Sequence, residues 1–194
     1  MPPVVATPNV LSDPGFLWVA PLGTAAPTNT VTAGKFSDTV AAAYIPLGAT
    51  TEGSTFTYGT EVKAIEAAEF FDPIRYATVS RSGSISFALM NFTLSNYRRA
   101  LNGGIAALVP TGVAGSELTV FEPPDPGTEV RSMLLWESTD STVRMLFRQV
   151  LQGGEIETAF GKAPSVAAIP CTYNLEVPSV GKPFSIYGAG LTRV

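Results

Sequence analysis

A mainly β fold, a β-sandwich with one short flanking α-helix, is what this sequence predicts, and three observations predict it. Short segments of period two recur along the chain. The clearest is Ser84–Met90, where Ile85, Phe87 and Leu89 fall on one face and Ser84, Ser86 and Ala88 on the other. Turn signals built from Gly, Pro, Asn and Asp separate these segments at close intervals. One stretch switches to a helical period: Thr93 caps it, Leu94, Tyr97 and Leu101 share a face, and Asn102-Gly103-Gly104 stops it. At 194 residues the chain is long enough for one domain with a real core, and no internal repeat or domain-sized break interrupts it.

In chain order, residues 1–12 are Pro-rich and uncharged and read as an arm, residues 13–188 as the domain, and 189–194 as a tail. Asp13-Pro14-Gly15 is a turn signal before a short strand, Phe16–Ala20, that carries Trp18. Pro21–Phe36 is a loop or extended connection, and Val40–Leu47 a second strand interrupted near Pro46. Gly48–Gly53 punctuates. Thr55–Tyr58 and Val62–Phe71 read as extended, with a helix as the rival over Glu61–Phe70 because KAIEAAEF is rich in helix formers. Ile74–Arg81 is a further strand before the alternating Ser84–Met90.

Beyond the helix, Ile105–Ser116 reads as a loose Gly/Ala/Pro loop and Leu118–Phe121 as a strand, followed by a turn-rich connection at Glu122–Gly127. Val130–Glu137 and Thr142–Val150 form a hairpin through Ser138–Ser141. In its second strand Val143, Met145 and Phe147 alternate with Thr142, Arg144 and Arg148, Leu146 being the exception. Gly153-Gly154 turns the chain into three last strands, Glu155–Phe160, Cys171–Val177 and Phe184–Tyr187.

Composition narrows the function. Charged residues make up 14% of the chain, against about a quarter in typical soluble domains. Such a surface suits burial under further copies of the same chain, and equally a Thr/Ser-rich β-protein that stays soluble through hydroxyls. The net charge of −4 and the lack of any basic cluster beyond Arg98-Arg99 argue against a grip on nucleic acid. There is no histidine, so neither a Ser-His-Asp system nor a His-ligated metal site can be built. The single cysteine, Cys171, has no intramolecular disulfide partner and reads as a small buried hydrophobe. The first residues lack the basic and apolar regions of a signal peptide and no uncharged run makes a spanning helix, so use in a cytoplasm and no membrane segment are expected.

A search for chemistry returns little. Glu61, Glu66, Glu69 and Asp72 supply carboxylates, but nothing in their spacing marks an acid and a base in separate environments. A solvated acidic strip is the plainer reading. No calcium loop or phosphate loop is present, and the aromatic residues are not spaced as a ladder for bases or sugars. Arg98-Arg99 reads as a solvated face at a helix C-terminus, where positive charge suits the dipole. No catalytic, cofactor-binding or metal-ligating residue is therefore expected, and no cofactor.

One stretch carries a resemblance. An aromatic-bearing strand, with Tyr44, leads into Leu47-Gly48 and the turn Thr51-Glu52-Gly53; the acidic segment Glu61-Val62-Lys63 follows, then Asp72-Pro73-Ile74-Arg75, Arg81–Leu89, and the helix closed by Asn102-Gly103-Gly104. In this order the parts resemble the major tail (tail tube) proteins of long, flexible-tailed, siphovirus-type bacteriophages, particularly those of actinobacterial hosts. The likeness is close over about a third of the chain, and the later strands are similar in type. The Pro-rich arm and Pro21–Phe36 depart from the family's simplest members.

The resemblance implies a tail-tube type sandwich whose six copies join their sheets into a β-barrel ring, with rings stacked into a conduit for genome delivery. It implies a virion protein assembled in the host cytoplasm, whose partners are its own copies and the tape-measure, tail-tip and tail-terminator proteins, with DNA passing through without specific binding. By that resemblance Leu47, Gly48, Glu52, Gly53, Phe56 and Tyr58 belong to an inter-ring loop, and Glu61, Glu66 and Glu69 face the lumen. Two other classes stay open: another virion protein on the same fold (terminator, distal-tail or decoration protein), and a carbohydrate-binding or hydrolytic β-sandwich.

Overall fold

The computed structural model describes residues 14–66, 68–69, 71–110, 117–158 and 167–189; the arm at 1–12 and most of the tail lie outside them. In chain order the elements are β1 (Gly15–Pro21), β2 (Val31–Thr32), β3 (Lys35–Phe36), β4 (Ile45–Pro46), β5 (Thr50–Ile65), β6 (Arg75–Leu89), α1 (Leu94–Ala100), β7 (Ile105–Pro110), β8 (Glu117–Glu122), β9 (Ser132–Ser138), β10 (Val143–Gln152), β11 (Ile169–Leu175) and β12 (Phe184–Gly188). The protein is mainly β with one short helix among the described residues, and every strand pairing is antiparallel. The principal sheet runs β4-β1-β9-β10-β11-β6-β5, with β12 joining β10; β2-β3 and β7-β8 are separate pairs.

Strand β10 is where the sheet divides. Val143–Phe147 pair with β12, whereas Val150–Gln152 pair with β11, and the register against β9 shifts between Phe147 and Val150. Such an irregularity bends a strand, so the two half-sheets diverge and face each other across a shared interior. That interior holds Leu17 and Val19 of β1, Leu134 and Trp136 of β9, Phe147 and Val150 of β10, Ile85, Phe87 and Leu89 of β6, and Cys171 and Tyr173 of β11. The sheet does not close into a barrel: β4 and β5 remain its ends.

The central strands bury both faces. Ala20, Met133, Leu135 and Leu146, on the side away from the main core, pack with Tyr44 into a second cluster. The connection between β1 and β4 covers this face, which is why Leu146 breaks the expected alternation. Arg144 lies on the same side, almost fully buried.

Several predicted elements have different bounds. Of Val40–Leu47 only Ile45–Pro46 is strand; the chain turns before it, Tyr44 N–H donating to the Ala41 carbonyl, and the Tyr44 hydroxyl then reaches the Ala25 carbonyl at 3.0 Å. Thr50–Ile65 is one strand, not two, because Gly53 (φ 81°) is absorbed as a register shift between Thr50 and Ser54. The helix considered over Glu61–Phe70 is absent to Ile65, where the chain is strand, and Glu66 belongs to neither helix nor strand. Ile74–Arg81 and Ser84–Met90 likewise merge into β6. Ile105–Pro110, expected as loop, pairs with β8, and the rest of that stretch lies outside the described residues. Glu155–Thr158 pairs with no described strand: Ile156 packs on the core and Thr158 bonds Tyr97, which accounts for the alternation without a ladder.

The helix forms where expected, with the Asn96 N–H donating to the Thr93 hydroxyl, but its buried residues are Asn96 and Ala100. Leu94 is exposed. Asn96 buries because its side-chain amide donates to the carbonyls of Leu47, at 3.2 Å, and Asn91, at 2.8 Å, tying the helix to the chain entering β5.

Candidate functional site

The most distinctive surface is the long β5–β6 pair. Both strands are rich in Thr, Ser and β-branched residues, which favour a pleated ladder. Their register sets two faces. One carries Ser54/Phe87, Phe56/Ile85, Tyr58/Gly83 and Thr60/Arg81 as opposed pairs and continues as Val62/Thr78 and Ala64/Tyr76. The other carries Thr55/Ser86, Thr57/Ser84, Gly59/Ser82 and Glu61/Ser80, a hydroxyl-rich stretch, and continues as Lys63/Ala77 and Ile65/Arg75. Between Glu61/Ser80 and Val62/Thr78 the register skips Val79, a bulge that keeps the two faces in phase.

The first of these faces begins inside the core and runs out of it. Phe56 packs its ring against Phe147 at 5.3 Å and Phe184 at 5.1 Å, and Tyr58 meets Phe184 edge to face at 5.0 Å. Gly83 opposite Tyr58 allows this, since a Cβ there would press on the Tyr58 ring at 2.9 Å. Beyond that point no described part of the protein covers either face: Val62 is 52% exposed and Tyr76 67%, and Ile65, Ile74 and Val79 are exposed as well. With a strand rise of about 3.3 Å per residue, the seven steps from Tyr58 to Ile65 make a ribbon of roughly 23 Å. At its end the Ile74 N–H donates to the Ile65 carbonyl, and Glu66, Glu69, Phe71 and Asp72 are all exposed in the connection.

The residues expected in an inter-ring loop are not one loop. Leu47 is buried, its N–H donating to the Leu17 carbonyl, and Gly48 takes φ 94° beside Asn91. Glu52, Gly53, Phe56 and Tyr58 are strand residues of β5, with Phe56 half-buried in the aromatic cluster. The connection between β4 and β5 is only residues 47–49; Phe56 and Tyr58 pair with β6, and Glu52 and Gly53 lie in the register shift between Thr50 and Ser54. The expected lumen residues also divide. Glu61 lies on the hydroxyl face of β5 and accepts a hydrogen bond from Ser80 at 2.8 Å, whereas Glu66 and Glu69 sit at the ribbon's end.

A concave site of about 290 Å³ lies near the β4 end of the sheet, where Pro21, Ile45 and Val130 meet Arg98 and Arg99 of α1. The Arg98 side chain is exposed and makes no hydrogen bond or ion pair among the described residues, while its carbonyl accepts from the Gly103 N–H. Arg99, expected in solvent, is half-buried: it donates to Asn96 Oδ1 at 3.0 Å, and its carbonyl accepts from the Tyr173 hydroxyl. Burial lowers its pKa from the usual guanidinium value, and the charge of Arg98 adds to that; it stays a cation at neutral pH. A wider hollow of about 510 Å³ lies between Leu22–Thr24 and Pro178–Val180. Neither concavity is lined by a carboxylate, so neither presents a general acid–base pair.

The one dense cluster of charge is structural in its geometry. Arg144 Nε donates to Glu137 Oε2 at 2.7 Å, its Nη1 to Asp38 Oδ2 at 3.0 Å and to Asn29 Oδ1 at 3.1 Å, and its guanidinium lies 4.4 Å over the Phe36 ring. These bonds fasten the β2–β3 connection onto β10. Burial raises the Asp38 carboxyl, and the hydrogen bond and charge of Arg144 overcome that and hold it below its ordinary value. Among the described residues no group of three or more His, Cys, Asp or Glu side chains is placed to hold a metal ion, and no helix is long and apolar enough to cross a membrane. Neither a protein-family model nor a curated protein matches the chain.

Proposed function

We propose that this protein is a non-enzymatic structural subunit that assembles with its own copies, and that the assembly is the tail tube of a long, flexible-tailed bacteriophage. Six copies join in a ring, rings stack into a tube, and the genome leaves through it without specific contact. The partners are further copies, a tape-measure protein, and the tail-tip and tail-terminator proteins. The protein is built in the host cytoplasm and works in the virion.

One observation carries this reading. The core-facing side of β5–β6 continues out of the core as an uncovered ribbon bearing Tyr58, Val62 and Tyr76, with the Thr60/Arg81 pair among them, and Ile65, Ile74 and Val79 are exposed along it as well. Monomeric proteins rarely keep contiguous apolar surface in water, and a ribbon is exposed on two sides at once. A chain with only 14% charged residues has little else to keep such a surface apart from its neighbours. Head-to-tail contacts close into rings where the rotation permits and extend as filaments where it does not, so one pair of surfaces per direction builds a tube.

Negative-stain electron microscopy of the purified full-length chain over a concentration series tests the reading. Hollow filaments of stacked rings are expected. Isolated rings that never stack would transfer the protein to a terminator-type role, and monomers at every concentration would overturn self-assembly itself.

A further inference from the structure

The tip of the ribbon and the cleft beside α1 have opposite chemistry. Residues 66–74 contain Glu66, Glu69 and Asp72 and no lysine or arginine, and Phe71 stands fully exposed among them. The cleft presents Arg98 and Arg99 on a floor of Pro21, Ile45 and Val130, without one acidic lining residue. One is an acidic turn carrying a large apolar side chain; the other is an apolar hollow of about 290 Å³ rimmed by cations.

The two cannot satisfy each other within one chain by any contact the fold provides. Ribbon strands β5 and β6 form one end of the principal sheet, and the cleft borders β4 and β1 at the other. The ribbon carries its tip roughly 23 Å beyond Tyr58, its last residue in the aromatic cluster. A contact between different surfaces of two copies is heterologous and propagates.

We propose that the acidic tip of one copy seats in the Arg98–Arg99 cleft of the next, with Phe71 entering the apolar hollow and the carboxylates pairing with the guanidinium groups. The proposal rests on the self-assembly reading above and names the surfaces that meet. Arginine is suited to the task, since its planar fork binds carboxylates with fixed geometry and stacks on aromatic faces. An apolar anchor within a ring of paired charges is also the anatomy of a strong contact, with the charges setting register and partner choice.

The test uses the full-length chain and charge reversal on both sides. A tip variant carries Glu66→Lys, Glu69→Lys and Asp72→Lys; a cleft variant carries Arg98→Glu and Arg99→Glu; a third chain carries all five. Arg98→Glu alone serves in place of the double variant should the loss of the Arg99–Asn96 bond unfold it, as circular dichroism will report. Sedimentation velocity gives the concentration at which half the protein is assembled. Each one-sided reversal is expected to raise it by at least about tenfold, like charges being strongly penalised at a docked surface. The five-fold chain should return most of the way to the unsubstituted value. Assembly of the one-sided variants at the unsubstituted concentration would overturn the tip-to-cleft contact while leaving self-assembly intact. A failure of the unsubstituted chain to assemble would overturn both.

Discussion

Replacing Arg144 by methionine removes the cation that three separate segments share. The guanidinium is 1% exposed and its partners Asp38 and Glu137 are 9% and 11% exposed, so the substitution leaves two carboxylates buried without their counter-ion. Breaking a buried pair by deleting one partner costs about 3–5 kcal/mol, and the methionine side chain recovers little of it because the space is shaped around five N–H donors. Urea denaturation followed by Trp fluorescence reads the effect. With an m-value of about 3 kcal/mol/M the midpoint should fall by about 1–1.7 M at pH 7. Adding Asp38→Asn and Glu137→Gln should recover at least half of that, because neutral amides carry no unpaired charge.

The pH dependence gives a second check. Burial raises Asp38, while the hydrogen bond and charge of Arg144 prevail and hold it low. A depressed carboxyl stabilises the fold above its unfolded value, about 3.9, and that contribution is lost as pH falls through the folded value. In the Met variant the backbone N–H bonds of Asn29 and Asp38 still oppose burial, but without Arg144 the Asp38 carboxyl rises and the gap between the two proteins narrows on acidification. A midpoint shift below about 0.3 M at pH 7, under 1 kcal/mol, would refute the account of Arg144 as the clamp on the β2–β3 connection.

Two further outcomes follow from the interior. Burial pushes the Cys171 thiol up to about 12, so a thiol reagent at pH 8 should leave the native protein unlabelled and label it fully in denaturant; a raised thiol also means stability falls as pH climbs from about 8.5 toward the folded value, and prompt native labelling would contradict the packing around β11. Gly104 takes φ 99°, and a Cβ there would collide with the Glu122 carbonyl oxygen and lie 2.9 Å from the Phe121 ring, so Gly104→Ala should destabilise by about 2 kcal/mol or more in the same denaturation assay, with a loss below 0.5 kcal/mol counting against the turn into β7.

What was legible in the sequence divides by cause. The period-two pattern at Ser84–Leu89 located its inward face correctly, since Ile85, Phe87 and Leu89 are all buried where both half-sheets enclose them. Thr93 was legible as a cap because its job is local, one hydroxyl accepting one N–H. The helix's buried face was not, because Asn96 buries through two backbone carbonyls, one of them from distant Leu47, which no hydropathy pattern records. Gly53 read as a break, yet β5 runs on past it through a register shift against β6. Arg144 read as the polar side of a half-buried strand; only the tertiary placement of Asp38 and Phe36 makes that side an interior. The ribbon was hidden for a similar reason: Val62, Ile65 and Val79 look like ordinary strand residues until the rest of the chain fails to cover them.

The ends of the principal sheet sharpen the functional argument. Proteins that stay monomeric blunt their sheet edges with short strands, proline, inward charges or covering loops. The β4 end fits that description, being two residues long and containing Pro46. The β5 end does not. It is sixteen residues long, has no proline, and its only charged residues are Glu52, Glu61 and Lys63. No described strand pairs with its outer side. An edge of that length left open in a chain so poor in charge would template random association, and the two register shifts in β5 twist it without shortening it. The difference between the ends therefore has a direction. One end of the sheet is blunted against edge pairing and the other is left open, the kind of edge through which neighbouring backbones can pair.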